Sequence, residues 1–158
     1  MAVEIERKFL VNRSVWENSN KGTREFYQQG YVVSEPGKTI RVRLTETSGY
    51  ITIKGPTTGI SKPEFEYAIP KEDASQLLQM FCTSIVSKWR NKVHYRGKLW
   101  EIDEFLELNE GLMIAEIELK DEDEVFDLPE WIASEVTGDK RYSNSNLATN
   151  PYKNWKSS

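Results

Sequence analysis

A single cysteine among 158 residues, Cys82, excludes an internal disulfide, and a single histidine, His94, leaves no His/Cys set from which a zinc site could be built. Long hydrophobic runs are missing as well. No stretch is long enough to span a bilayer, and the start of the chain lacks the apolar segment of a secretory leader, so a cytoplasmic protein with no membrane partner is expected. Neither sign of charge dominates: 21 Lys+Arg stand against 25 Asp+Glu, a formal net charge of −4. Such a field does not draw in nucleic acid, so none is expected as a partner, and any polyanion must be caught by a local basic cluster. The segment Gly55-Pro56 to Gly59 lacks the Lys-Ser/Thr pair and following helix of a phosphate-cradling P-loop, and it reads as a hairpin connection. The five tryptophans are not spaced as a stacking platform for single-stranded nucleic acid and are assigned to packing, as Cys82 and His94 are to ordinary structural positions.

What the chain has instead is alternation. With 38% hydrophobic residues, it suits one compact domain over residues 1–158, with a polar tail from about residue 150. Apolar and polar residues alternate through the first two-thirds, broken by turn chemistry at Glu35-Pro36-Gly37, Ser48-Gly49, Gly55-Pro56, Arg96-Gly97 and Asn109-Glu110-Gly111. The predicted strands are Val3–Val11, Phe26–Ser34, Thr39–Thr45, Tyr50–Lys54, Glu64–Ile69, Ser84–His94, Leu99–Phe105 and Ile114–Leu119. A helix is predicted over Lys71–Phe81, where Leu77, Leu78 and Phe81 share a face. A second is predicted from Leu128-Pro129, with Trp131, Ile132 and Val136 as anchors, and a short third at Asn146–Ala148.

Residues at i, i+2 and i+4 of a strand share a face, and in this chain those faces carry charge. Glu4, Glu6 and Lys8 oppose Val3, Ile5 and Phe9; Arg41 and Arg43 oppose Ile40, Val42 and Leu44; Lys54 follows Ile51 and Ile53. Glu64 and Glu66 oppose Phe65 and Tyr67, Lys88 and Arg90 flank Trp89, Glu101 and Asp103 oppose Trp100 and Ile102, and Glu116 and Glu118 oppose Ala115 and Ile117. A solvated face would mix signs and neutral polar residues more freely, because like-charged neighbours cost stability. Closed into a barrel, the strands admit two orientations: apolar faces inward under a charged coat, or charges inward with helices covering the outside. The pattern by itself leaves both open.

The ordered set Glu4-x-Glu6-x-Lys8, Arg41-x-Arg43, Lys54, Glu64-x-Glu66, Lys88-x-Arg90, Asp103 and Glu116-x-Glu118 resembles the CYTH-type triphosphate tunnel metalloenzymes, small bacterial members in particular. The flanking stretches EIERKFLV, QGY, WEIDEF, AEIEL and EVTGDKRYSN agree with it, so the likeness runs from about residue 3 to 149. The resemblance implies an α+β fold: a closed antiparallel eight-stranded barrel with a charged lumen and helices outside. Lys8, Arg41, Arg43, Lys54, Lys88, Arg90 and Arg141 then fall on triphosphate-binding positions. Glu4, Glu6, Glu64, Glu66, Asp103, Glu116 and Glu118 fall on acidic, metal-associated ones, with Glu101 and Glu104 as weaker candidates.

The residue types suit that role on their own chemistry. Carboxylates and phosphates are hard oxygen donors that match Mg²⁺ or Mn²⁺, arginine pairs grip phosphate through planar forks, and lysine supplies a compact mobile charge. The expected reaction is metal-dependent hydrolysis of inorganic triphosphate to pyrophosphate and phosphate by in-line attack of water. Glu4 and Glu6 would hold the metal or orient the water, and Lys88 is a candidate general base. Phosphate-reading residues discriminate little among triphosphates. Thiamine triphosphate, nucleoside or RNA triphosphate hydrolysis, cyclisation of ATP and non-catalytic polyphosphate binding remain alternatives at this stage, as does a plain charged barrel acting through protein contacts.

Overall fold

In a computed structural model describing residues 2–155, the chain forms nine strands and three short helices. The strands are β1 (Val3–Val11), β2 (Thr23–Glu35), β3 (Lys38–Thr45), β4 (Gly49–Lys54), β5 (Ser61–Ile69), β6 (Ile85–Tyr95), β7 (Lys98–Phe105), β8 (Met113–Glu118) and β9 (Ile132–Glu135). The helices are α1 (Arg13–Glu17), α2 (Lys71–Phe81) and α3 (Asn144–Thr149). Eight strands pair antiparallel in the order β5-β4-β3-β2-β6-β7-β8-β1, and β1 returns to β5 to close the barrel. Closure is narrow: Val3↔Pro63, Glu4↔Lys62 and Ile5↔Ser61 are the paired positions. Tight connections fit the residues that make them. At the β6–β7 hairpin both central residues, Arg96 and Gly97, have positive φ (47° and 79°), the conformation whose twist matches the flanking strands.

Burial decides the orientation that the alternation left open. The charged faces point inward, and the apolar residues gather in three clusters, two on the outside of the barrel and one within it. One centres on Trp100, with Phe9 at 5.6 Å and Trp131 and Phe126 each at 5.8 Å between ring centres; Trp16 of α1 meets Trp131 at 5.1 Å. In the second, Ala74 and Leu78 of α2 pack on Val42, with Leu44, Ile69 and Ile85 around them. The helix lies so close that a Cβ on Gly49 would come within 2.7 Å of the Ala74 Cβ, so β4 begins with the residue that has none. Phe81, expected on that buried face, is instead 56% exposed.

The third cluster is inside the barrel. Val86, Phe105 and Ile114 lie two residues from Lys88, Asp103 and Glu116 on the same strand faces, so the lumen turns from charged to apolar within one period. Leu147 of α3 is seated among them, with Leu10, Tyr142, Tyr152 and Trp155 packed around. The polar tail expected from residue 150 is thus ordered as far as Trp155, whose ring meets Tyr142 and Tyr152 at 5.2 and 5.1 Å; residues 156–158 lie outside the described residues.

The helix predicted from Leu128 is not formed. Pro129 instead starts a turn closed by Ile132 N–H donating to its carbonyl, and Ile132–Glu135 becomes β9, paired with β1 at Phe9↔Glu135 and Val11↔Ile132. The reason lies in the seam. Because β5 pairs only with the first residues of β1, the rest of that edge would carry open N–H and C=O groups, and β9 takes them up. Trp131 is 4% exposed through tertiary packing rather than through a helical face. The unanticipated α1 starts at Asn12, whose side chain accepts from the Val15 N–H and caps the helix. The third predicted helix exists and runs longer, from Asn144 to Thr149.

Candidate active site

The barrel interior holds a cavity of about 930 Å³. Its walls divide by charge. β3 contributes Arg41 and Arg43 and β6 contributes Lys88 and Arg90, with β2 between them, while β8, β1 and β5 contribute Glu116, Glu118, Glu4, Glu6, Glu64 and Glu66, with Lys8 among them. Lys54 of β4 links the two halves: its Nζ lies 2.9 Å from Glu4 Oε1 and 3.3 Å from Glu64 Oε2, spanning the seam. Each of these residues was expected from the sequence, and each lines the cavity.

Two expected residues do not. Asp103 lies in the wall, fully buried, with both oxygens engaged by Arg90 (Nε to Oδ1 and Nη2 to Oδ2, each 2.8 Å) and Oδ2 also 2.8 Å from Lys88 Nζ. A carboxylate so occupied is a counter-ion for buried cations and not an open metal ligand. Arg141 is 64% exposed at its side chain and pairs with Asp139 at 2.8 Å, outside the cavity lining. The expectation rested on the likeness of its segment, and strand periodicity has nothing to say about a 3-10 turn.

Several lining residues escaped the sequence reading. Lys62 and Lys92 each extend a charged run by one more i±2 step, from Glu64 and from Arg90, and Pro63 obscured where β5 begins. Glu101, a weaker candidate, lines the cavity and approaches Arg90 at 3.3 Å, whereas Glu104 faces out to Arg13. Tyr27 and Tyr31 share the inner face of β2 with Gln29. Asn144 comes from α3, where no strand period could have flagged it.

The electrostatics follow from crowding. Burial pushes the Lys88 ammonium down to about 7; Asp103 opposes this, but Arg90 already neutralises that carboxylate, and Arg90 and Arg43 add repulsion. Arg43 is pushed down to about 10 by burial and by Arg41 and Arg90, and stays charged near neutrality. On the acidic wall, burial and the Glu116 charge hold Glu6 well above the usual carboxylate range, and burial with Glu4 beside it lifts Glu64 to about 7. Glu116 goes the other way: burial resists ionisation, but Lys8 and a hydrogen bond with Glu6 bring it well below the ordinary value. Carboxylates that retain protons because they face one another form a wall short of positive charge.

Among the described residues, no three His, Cys, Asp or Glu side chains converge closely enough to enclose a metal by themselves. That donor set suits a cation that keeps water and takes substrate oxygens, as Mg²⁺ does, rather than one that needs an all-protein cage.

The sequence profile of the CYTH domain family matches residues 2–152. The chain belongs to that family. Among its curated relatives, an inorganic triphosphatase of Acetivibrio thermocellus is 50% identical over 157 residues, covering 99% of both chains. An inorganic triphosphatase of Nitrosomonas europaea is 34% identical over 154 residues, covering 92% of this chain and 96% of that protein. A crystal structure of an inorganic triphosphatase superposes with a TM-score of 0.63 at 32% identity, over 92% of this chain and 97% of the other. The CYTH membership agrees with the charged-lumen barrel found here. The EVTGDKRYSN stretch leads directly into α3, whose Leu147 sits at the apolar end of the lumen.

Proposed function

We propose that this CYTH protein is a cytoplasmic, divalent-metal-dependent inorganic triphosphatase that converts tripolyphosphate and water to pyrophosphate and phosphate. The observation that carries the reading is the division of one cavity into a basic wall, β3-β2-β6, and an acidic wall, β8-β1-β5. A simple anion site has no use for the second wall, and a simple cation site has none for the first. The species that satisfies both is a polyanion carrying its own metal ions. The full-length likeness to proteins named inorganic triphosphatase supports tripolyphosphate as that polyanion.

In this reading Arg41 and Arg43 hold phosphate oxygens through their forks, and Lys8, Lys54 and Arg90 spread positive charge along the chain. Glu4, Glu6, Glu64, Glu116 and Glu118 are the residues that would hold Mg²⁺ or Mn²⁺, which would neutralise charge on the phosphates and lower the cost of forming hydroxide. Water attacks a terminal phosphorus in line with the bond to the bridging oxygen; that P–O bond breaks and pyrophosphate leaves with the electron pair. Lys88 takes the water's proton at Nζ. Its ammonium, held near 7, is partly neutral at physiological pH, as a general base must be.

The test is phosphate release from tripolyphosphate, ATP and thiamine triphosphate side by side with Mg²⁺, Mn²⁺ or EDTA. Metal-dependent turnover that favours tripolyphosphate and disappears in Glu4→Gln is expected. Preference for an organic triphosphate, or turnover undiminished in EDTA, would refute the reading.

A further inference from the structure

A chain of hydrogen bonds links the two basic strands through residues with no charge. Arg43 donates from Nε and Nη2, each at 3.1 Å, to Gln29 Oε1; Gln29 Nε2 donates to Asn144 Oδ1 at 3.0 Å; Lys88 Nζ donates to the same oxygen at 2.9 Å. Only one orientation of each amide works. An arginine cannot accept, so the Gln29 oxygen must face Arg43 and its nitrogen must face Asn144, whose oxygen then serves two donors. Gln29 has no exposed surface and does not line the cavity, so it cannot substitute water for a missing partner.

Asn144 is held in place from below. It sits one turn before Leu147, which is 1% exposed in the apolar cluster closing the barrel, and Ser143 Oγ caps the helix by accepting from Asn146 N–H. The packing of α3 at the apolar end therefore sets the height at which the Asn144 oxygen meets Lys88. With Asp103 Oδ2 at 2.8 Å, that oxygen occupies a second of the three directions available to Nζ, leaving one for a water or a phosphate oxygen.

We propose that Asn144 and Gln29 are positioning residues, an amide bridge that aims the Lys88 amine and the Arg43 guanidinium together, so that α3 belongs to the working site. This rests on the triphosphatase reading above. It assigns Asn144 a role through Lys88 and not through contact with substrate, and the kinetics can tell the two apart.

The experiment is steady-state hydrolysis of tripolyphosphate by Asn144→Ala, alone and in a Lys88→Arg background, with melting temperatures to confirm folding. We expect kcat to fall about tenfold to a hundredfold with KM within about threefold, the scale of a misaimed reacting group. The penalty should shrink to within about threefold when Lys88 is already replaced, and Asn144→Asp, which keeps an acceptor on the same carbon, should recover a large part of kcat. If Asn144→Ala does not fold, Asn144→Ser, whose hydroxyl is too short to reach, takes its place in the same comparison. Three outcomes overturn the proposal: a raised KM with kcat intact, which makes Asn144 a substrate ligand; an equal loss in both backgrounds, which makes it structural; and a gain in kcat, which makes it a cap on Lys88. If the wild-type protein does not turn over tripolyphosphate, the triphosphatase reading fails and calorimetric binding of tripolyphosphate judges the bridge. Gln29→Leu then weakens affinity at least about tenfold if the bridge aims Arg43, and leaves it unchanged if it does not.

Discussion

Asp103→Asn tests the reassignment of that carboxylate most directly. Arg90, Lys88 and Asp103 make a buried cluster of two cations and one anion, with every Asp103 contact at 2.8 Å and Asp103 itself fully inaccessible. Removing the negative charge leaves Arg90 leaning on Glu101 at 3.3 Å and leaves Lys88 with Asn144 alone. Breaking a buried pair by removing one partner costs about 3–5 kcal/mol, and for a chain of this size each kcal/mol is worth about 2–4 °C, so the melting temperature should drop by about 6–20 °C. The loss should also depend on pH. Lys88 has an amine already pushed down to about 7, so above that pH it is neutral with or without Asp103, and only the Arg90 interaction is lost. Below about 7 the wild-type ammonium is charged and paired, and the variant forfeits both interactions, so the gap should widen from pH 8.5 to pH 6. Lys88→Met in the Asp103→Asn background should narrow it again. Differential scanning in EDTA reads all of this without metal. A melting temperature within about 2 °C of wild type, or a loss that does not vary with pH, would refute the counter-ion assignment and reopen the metal-ligand one.

Other outcomes follow from the same geometry. At saturating Mg²⁺, kcat should rise with pH through about 7 as Lys88 loses its proton and then level off; Lys88→Arg should remove that inflection, and a retained inflection would acquit Lys88 as the base. Glu6 and Glu64 have folded pKa values above their unfolded ones, so the stability of the metal-free protein should decline as pH rises from about 4.5 through about 7, and Mg²⁺ should raise the melting temperature more at pH 8 than at pH 5.5. Equal shifts at both pH values would argue against a metal on that wall. Arg43→Lys replaces a fork that meets Gln29 twice with a single point charge, and KM for tripolyphosphate should rise about tenfold with the fold intact by circular dichroism.

The eight barrel strands were legible because period-2 alternation runs through them, and the same alternation picked out the cavity wall from Glu4 to Glu118; β9 was not legible. What it could not decide was which face is inside, since a barrel has two faces and the pattern is symmetrical between them. That was settled by α2 and the aromatic cluster around Trp100, whose contacts are long-range. Trp131 and Ile132 looked helical because Pro129 precedes them, but an open edge on β1 outweighed local preference. Asp103 shows a different limit: residues at i and i+2 share a face, yet Glu101 reaches the cavity and Asp103 stays in the wall, because Arg90 and Lys88 close over it. Asn144 carries no periodic signature, and its place depends on where Leu147 is anchored.

The narrow seam has a consequence for the order in which this molecule assembles. β1 carries Glu4, Glu6 and Lys8, but its main partner is β8, in the register Glu6↔Glu118 to Leu10↔Ile114, while β2 to β5 and β6 to β8 are chains of neighbouring hairpins. Those hairpins can form as they are synthesised, whereas the first strand must wait for residues more than a hundred positions away. Until then Glu64 and Glu66 on β5 and Glu116 and Glu118 on β8 line two separate edges, and the acidic wall lacks Glu4 and Glu6, which join them. Docking of the first strand is thus the step that turns an open, curled sheet into a catalyst, and refolding should show activity returning on the slower timescale of milliseconds to seconds typical of such non-local pairing.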